Sequence, residues 1–321
     1  MYPLVSVICL CYNQSRFIEE AVNSVIAQTY KNIELILVDD QSTDKSVEVI
    51  HQLIKKNPQL KFIKNDKNIG MCRSFNKGLK EAKGEFIIDL AADDIMLPER
   101  ITTQVEAFLN LKATYGVVYS DAYLINEKGE KTSTFYKRNE LGGLMETVPT
   151  KKIFKELIHS YRICSPTIMV RKKVLEELGG YDENLSYEDY DFFVRSSREY
   201  RYFYIDKPLT LKREVAGSDS SSWYKKGSNN THLPSTLLVC KKALWLCKNK
   251  EEKLALLHSV RYHFRQAYFL NVFPLVEEYY ELIGCINEQS MIDKIILNLA
   301  RKKISLYALY LFYLKVRKAV D

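Results

Sequence analysis

The chain lacks any apolar run approaching the roughly 20 residues needed to cross a bilayer, so no membrane span is expected. It opens Met1-Tyr2-Pro3-Leu4 and passes straight into a strand-like run, without the basic start and apolar stretch of a secretory signal; a cytoplasmic location is expected. None of the seven cysteines forms a Cys-x-x-Cys pair. Cys9 and Cys11 alternate inside an apolar run, which points to buried free thiols in a reducing compartment and not to disulfides or zinc. Residues 5–20 contain no glycine, which excludes a glycine-rich phosphate loop there. No internal repeat or low-complexity tract is present. A strong charge excess is also missing: 47 basic against 40 acidic residues leave +7. That balance fits an anionic ligand or an anionic membrane surface better than a dedicated nucleic-acid binder.

What is present is an ordinary globular composition, 46% apolar and 27% charged, over 321 residues. That length fits one large α/β domain with a smaller appendage. Val5 to Cys11 reads as a buried parallel strand. Ser15 is placed to cap a helix whose apolar positions Ile18, Val22, Val25 and Ile26 share a face. Strands follow at Ile33 to Val38, Leu60 to Ile63 and Phe86 to Leu90. Helices lie between them, around Val47 to Ile54 and Met71 to Ala82. This alternation predicts a mostly parallel, doubly wound sheet. Later come a helix near Ile153 to His159, a short strand at Thr167 to Val170 and a helix near Tyr187 to Glu199. A polar segment from Lys225 to His232 reads as a linker to further helices. The spacing of His258 and His263 puts them on different helix faces, as ordinary surface or core positions.

Ligands of such sheets bind outside the carboxyl ends of the strands, where this chain concentrates its acids. Asp39 and Asp40 follow the second strand, and Asp93 and Asp94 follow the strand ending at Leu90. Clustered carboxylates are costly without a cation or hydrogen-bond donors. A divalent metal shared with a diphosphate is one solution and turn or helix-cap formation is the other; capping suits Ser42, Thr43 and Asp44 well.

Several ordered motifs together carry a resemblance. Val5-Ser6-Val7-Ile8 runs on to Tyr12-Asn13, and Val38-Asp39-Asp40-Gln41-Ser42-Thr43-Asp44 comes next. Ala92-Asp93-Asp94 has Pro98 four residues on, and Gly180-Tyr181-Asp182 and Glu188-Asp189-Tyr190-Asp191 complete the set. Over roughly the first 215 residues the chain resembles the inverting, nucleotide-sugar-dependent family 2 glycosyltransferases of GT-A fold. The resemblance implies a Rossmann-like mixed sheet with helices on both faces over residues 1–225 and a helical C-terminal extension over 226–321. It also implies a nucleotide-sugar donor, Mn2+ or Mg2+ as cofactor, and a glycan or lipid-linked glycan acceptor of bacterial surface polysaccharide synthesis.

Residue by residue, Asp40 resembles the acid that accepts a hydrogen bond from a uridine ring, with Leu10 to Tyr12 lining the base pocket. Asp93 matches the metal-ligating acid of Asp-x-Asp, and Asp189 the general base. Gly70 and Arg73 resemble the donor-side Asn-x-Gly stretch, while Asn13, Asp94 and Glu188 take supporting positions. Two departures stand out. Ala91 occupies the place of the first Asp of Asp-x-Asp, and Arg213-Glu214-Val215 replaces Arg-x-His, so that Arg213 is left to serve the diphosphate. Retention of Asp40, Asp93 and Asp189 argues against a non-catalytic glycan-binding relative. The missing phosphate loop argues against a sugar-nucleotide pyrophosphorylase, and the absence of membrane spans and of Gln-x-x-Arg-Trp against a processive synthase.

At the C-terminus, Arg301-Lys302-Lys303 and Lys315, Arg317 and Lys318 bracket an apolar run from Ile304 to Leu314, broken by Ser305. It is too short to span a bilayer. It can lie peripherally on the inner face of the cell membrane, or pack on the protein or on a second copy in a homodimer.

Overall fold

The structure is a computed structural model describing residues 2–215, 226–227 and 230–318, with side chains in the last helix described as far as Phe312. Most of the segment 216–229 therefore lies outside the described residues. So do Lys225, within the expected linker, and the side chains of Lys315, Arg317 and Lys318. The chain divides into two compact units. The first comprises 1–153 and 162–215; the second comprises 154–161 and 216–321.

In the first unit the order is β1 (Val5–Cys11), α1 (Ile18–Ile26), β2 (Ile33–Asp39), α2 (Ser46–Lys56), β3 (Lys61–Lys64), α3 (Met71–Glu81) and β4 (Phe86–Ala91). A two-residue β5 (Ile95–Met96), α4 (Arg100–Asn110), β6 (Tyr115–Ile125) and β7 (Lys131–Thr134) follow. The second unit claims α5 (Phe154–His159). The first then resumes with β8 (Met169–Arg171), α6 (Lys172–Glu177), α7 (Asp189–Glu199) and β9 (Arg201–Arg213).

The nine strands form one sheet in the order β3-β2-β1-β4-β8-β6-β9-β5, with β7 on β6. Its β3-β2-β1-β4 half is parallel, as the strand–helix alternation requires. Beyond β4 the sheet is mixed: β8 runs antiparallel to both β4 and β6, while β6 and β9 pair in parallel. The expectation of a mostly parallel sheet thus describes one half. The short run at Thr167 to Val170 begins as a 3-10 turn, Ser165–Thr167, and only its end joins the sheet.

Alternation sorts the strand residues between two faces. Val5, Val7, Cys9, Leu35, Leu37, Phe86, Ile88 and Leu90 pack into a core with Ile18, Val22, Ile50, Leu53, Ile101, Val105 and Phe108 of α1, α2 and α4. The opposite face carries α3 at close range. A Cβ at Gly78 of this helix would lie 2.6 Å from Ile8 Cγ2 and 3.2 Å from Val38 Cγ2. All seven cysteines are free, five of them buried.

Ser15 does not cap α1. The helix starts at Ile18 without a side-chain cap; the Gln14 carbonyl accepts from Phe17 and Ile18 N–H, and Ser15 N–H donates to Asp44 Oδ2 at 3.0 Å. The turn is tied across to the next strand-end loop instead of capping itself.

The second unit is helical: α5 groups with α8 (His232–Leu246), α9 (Lys250–Phe269), α10 (Phe273–Ile286), α11 (Met291–Arg301) and α12 (Tyr307–Lys318). Asn249 caps α9, and Ser290 and Asp293 form a reciprocal capping box on α11. Tyr310 of α12 stacks on Phe269 at 4.9 Å and donates to Gln266 Oε1 at 2.8 Å. His258 is exposed and stacked on His159 at 4.1 Å, whereas His263 is half-buried. No helix among the described residues is long and apolar enough to cross a membrane.

One turn sets the approach to α7. Gly180 has φ +79, and a Cβ there would lie 2.4 Å from Asn76 Oδ1. That oxygen accepts from Tyr181 N–H, while Asn76 Nδ2 donates to the Tyr181 carbonyl, both at 2.9 Å. Gly180→Ala is expected to destabilise the first unit by about 1–3 kcal/mol, from left-handed strain and the displaced amide. The check is a lowered urea midpoint at unchanged m-value.

Candidate active site

Three groups of side chains carry the candidate site, the first two after the carboxyl ends of β1, β2 and β4. In the first, the loops after β1 and β2 are laced together. Asn13, at φ +54, accepts on Oδ1 from Thr43 N–H at 2.8 Å and Asp44 N–H at 3.3 Å; its own N–H donates to Ser42 Oγ at 2.9 Å. Asp44 accepts from Ser46 and Ser15 N–H. Burial alone would raise its pKa, but these hydrogen bonds win and lower it. Asp40, 5% exposed, takes three donors at 2.8 Å: Asn65 Nδ2 and Ile69 N–H on Oδ1, and Gly70 N–H on Oδ2. It thereby fixes the loop that enters α3, with Gly70 at the N-cap. Leu10 is half-buried, Tyr12 is 48% exposed, and the exposed Arg73 lies 3.5 Å from Glu183.

The second group sits after β4. Asp94 is 4% exposed, and its Oδ1 accepts from Arg213 N–H at 2.9 Å. Burial, and then the charge of neighbouring Asp93, push its pKa up to about 7, against the opposing pull of Arg213 N–H, Lys212 and Arg100. Arg100 is wholly buried under this segment, with Nη2 on the Ile168 carbonyl and Nε on Gln104.

Arg213 needs correcting relative to the sequence reading, which left it to the diphosphate. Its side chain is only 2% exposed. Nε donates to the Asp93 carbonyl at 3.0 Å, Nη1 to the carbonyls of Asn126 and Glu127 at 3.2 Å each, and Nη2 to Glu20 at 2.5 Å. The guanidinium also lies 4.6 Å from the Phe17 ring centroid. With its donors spent on protein acceptors, Arg213 is a clamp on the Asp93–Asp94 segment and not a group facing a ligand phosphate.

The third group is the start of α7. Glu188 is its N-cap and Asp189 its first residue, half-buried, with Oδ1 accepting from Tyr190 N–H at 2.7 Å. A helix N-terminus favours a carboxylate at this place. One neighbouring acid escaped the sequence reading. Asp89 of β4 accepts from the Tyr181 hydroxyl at 3.1 Å, and its pKa is pushed up to about 7, by burial and by the charge of Asp189. The visible signal was a single acid inside the apolar run Phe86-Ile87-Ile88-Asp89-Leu90.

The chain matches the sequence profile of glycosyl transferase family 2 over residues 6–179, more than half its length. It belongs to that family. A glycosyltransferase of Methanocaldococcus jannaschii, MJ1057, is 32% identical over 222 residues, spanning 68% of this chain and 73% of that protein. A Rickettsia bellii glycosyltransferase is 28% identical over 87% of this chain, but the match spans only 39% of that longer protein. Among solved structures, S. aureus TarS 1-349 in complex with UDP-GlcNAc superposes with a TM-score of 0.68 at 21% identity, covering 94% of this chain and 88% of TarS 1-349. The mannosyltransferase PcManGT of Pyrobaculum calidifontis, in complex with GDP-Man and Mn2+, gives 0.59 at 16% identity, covering 95% and 86%. The glycosyltransferase therefore has the GT-A fold, with a helical C-terminal region.

Among the described residues of the glycosyltransferase, no three or more His, Cys, Asp or Glu side chains converge as a metal cage. The residues present nevertheless fit a hard divalent ion. Asp93 and Asp94 are adjacent carboxyls whose mutual charge opposes ionisation, which a cation relieves. Mg2+ and Mn2+ are commonly held by one or two carboxylates, with substrate phosphate and water completing the shell. Arg213→Ala should strand several buried carbonyls, at more than about 2 kcal/mol. The expected result is a lowered thermal midpoint together with loss of metal-dependent stabilisation by nucleotide diphosphates.

Proposed function

We propose that this glycosyltransferase moves a sugar from a nucleotide diphosphate, UDP above all, onto a hydroxyl of a glycan or lipid-linked glycan, with inversion at the anomeric carbon. The observation that supports the reading is that Asp40 and Asp93 follow the carboxyl ends of β2 and β4 while Asp189 opens α7, each in a different chemical setting. Asp40 Oδ2 accepts from Gly70 N–H at 2.8 Å and has a second lone pair, which suits a pyrimidine imide N–H. Leu10, near the end of β1, and Tyr12, just after it, are assigned to the base pocket, and Gly70 and Arg73, at the start of α3, to the donor side.

In the reaction, Asp189 takes the proton of the acceptor hydroxyl as that oxygen bonds to the anomeric carbon. The bond from this carbon to the diphosphate oxygen breaks on the opposite face, and its electron pair leaves with the diphosphate. Mn2+ or Mg2+ held by Asp93 would neutralise charge on that leaving group. Arg213 holds the Asp93 main chain in place throughout. Asp189→Asn is expected to slow transfer by about 10²–10⁴-fold, the usual worth of a positioned base. Donor affinity by calorimetry should change less than about threefold, because the base acts chiefly in the transition state. Full activity of Asp93→Ala in excess chelator would remove the metal from the scheme.

The acceptor reading includes the tail. Leu309 and Phe312 of α12 are 62% and 65% exposed beside the exposed Arg301, Lys302 and Lys303, while Tyr310 turns inward. This arrangement supports peripheral attachment to an anionic membrane and a lipid-linked acceptor, in synthesis of a bacterial surface polysaccharide at the cytoplasmic face. Replacing Leu309 and Phe312 together by Glu should reduce co-sedimentation with phosphatidylglycerol vesicles by about tenfold or more, given about 0.8 kcal/mol per buried methylene. Donor hydrolysis should be unchanged. Undiminished vesicle binding would favour a face that packs on a second copy.

A further inference from the structure

Asp40 is held by side chains that lie well apart from it in sequence. Asn65 follows β3, and its N–H donates to the Asp39 carbonyl at 2.9 Å, which extends the β2–β3 pairing by one residue. The Asn65 side chain is 1% exposed, so an unmet polar atom there would be costly. Each one is met. Nδ2 donates to Asp40 Oδ1 at 2.8 Å and to Ser74 Oγ at 2.9 Å, and Oδ1 accepts from Lys77 Nζ at 2.8 Å. Ser74 and Lys77 are three residues apart on α3, so they share the helix face turned to Asn65. Ser74 is buried, and Lys77 is exposed.

The direction of this chain of hydrogen bonds follows from what each group can do. An ammonium only donates, so the Asn65 atom facing Lys77 is the carbonyl oxygen, and the amide nitrogen is left to face Asp40. Turning the amide over would set a donor against Lys77 and an acceptor against the carboxylate. Asp40 Oδ1 therefore receives two donors, Asn65 Nδ2 and Ile69 N–H, which take up both of its lone pairs. Among the described residues Oδ2 receives Gly70 N–H alone. One acceptor position remains on Asp40, and it lies on Oδ2.

We propose that Asn65, locked by Lys77, is a positioning residue for base selection: it occupies Asp40 Oδ1, keeps the carboxylate from turning, and leaves a single fixed acceptor for the N3–H of uracil. This rests on Asp40 meeting the base. Cytosine carries a lone pair at N3 where uracil carries a proton, so the same oxygen opposes it. The cytosine 4-amino group is a donor one position along the ring edge. A carboxylate free to rotate can follow that group, whereas one pinned at Oδ1 cannot. Discrimination of this kind is large when the wrong ligand leaves a buried polar group opposed or unpaired. Asn65 touches no substrate in this scheme and acts through Asp40.

The test needs no known acceptor or sugar. Calorimetry with UDP and with CDP, each in the presence of Mn2+, gives a ratio of Kd values in which general changes of stability and surface charge largely cancel. The wild type should hold UDP at least about tenfold tighter, the scale of one hydrogen bond to a charged group. Asn65→Leu, close in volume, should lower that ratio about fivefold or more. Lys77→Met, at an exposed position where folding is not at stake, should lower it less. Lys77→Arg, still only a donor, should restore it, and Lys77→Glu, which draws the amide nitrogen to itself, should lower it further than Lys77→Met. Asp40→Asn should also lower the ratio, and adding Asn65→Leu to it should change nothing more. A ratio unmoved in Asn65→Leu or in Lys77→Met, or losses that add in the double variant, would overturn the proposal. The side-chain amide signals of Asn65 in nitrogen-15 NMR of the nucleotide-free protein, identified by their loss in Asn65→Leu, should move in Lys77→Met and in Asp40→Asn. If they move while Asp40→Asn leaves the ratio intact, the hydrogen-bond network stands and the assignment of the base to Asp40 fails instead. Signals unmoved in either variant would overturn the network itself.

Discussion

A single buried cation holds the ligand edge of the first unit together. Arg213 ends β9, the longest strand, and its guanidinium reaches the loop after β4, the turn between β6 and β7, and α1. A guanidinium suits this task because its planar fork of five donors can serve several carbonyls at once, which a lysine ammonium cannot match in geometry. Its own N–H completes the tie by binding Asp94. Desolvating a cation costs several kcal/mol unless it is paired and hydrogen-bonded, and Glu20, three carbonyls and the Phe17 ring meet that demand. The Asp93 main chain is thus set by a group about 120 residues away in sequence, which makes the geometry of this segment a property of the assembled sheet.

The acids at this edge are held in two contrasting ways. Asp40 and Asp44 accept from N–H and hydroxyl donors that turn each carboxylate into a loop anchor, and for Asp44 these donors hold the pKa below its ordinary value. Asp89 and Asp94 have few donors and like-charged neighbours, so burial leaves their protons bound near neutrality. Structural acids here are those whose charge the protein satisfies itself. The others are acids whose charge burial opposes and few donors satisfy.

Much of this was legible in the sequence. Apolar runs gave the strands of the parallel half to within a residue or two, because strands buried on both faces must be nearly uniformly apolar. The ordered acids marked the ends of β2 and β4. What remained hidden depended on long-range closure. Ser15 looked like a cap because local spacing allows it, yet its N–H is claimed by Asp44 from the next loop. Arg213 looked available for a ligand because its acceptors lie far off in sequence. Residues 154–161 group with the helical unit although the chain returns to the sheet afterwards, and no local pattern marks that excursion. The C-terminal run was ambiguous because it is apolar nearly all round. Only packing distinguishes Tyr310, stacked on Phe269, from the exposed Leu309 and Phe312.

The paired acids that close β2 show how the pleat decides which carboxylate can meet a ligand. Successive strand residues point to opposite faces, so Asp39 and Asp40 cannot share an environment. Asp39 turns to the core side beside Cys11, wholly buried; Oδ1 accepts from Ser42 N–H, and Oδ2 has no hydrogen-bond partner among the described residues. An unsatisfied buried oxygen costs about 1–3 kcal/mol. The loop that Asp39 Oδ1 holds is the one laced to Asn13, so the cost is tied to the shape of the pocket wall. Asp40, on the α3 side, meets donors on both oxygens and lies where the β1 and β2 ends and the Gly70 turn converge. Exchange of the two environments would take a one-residue slip of β2 against β1, which would also drive Leu35 and Leu37 out of the core. Which of the two acids faces α3 is therefore fixed by the same register that buries the core.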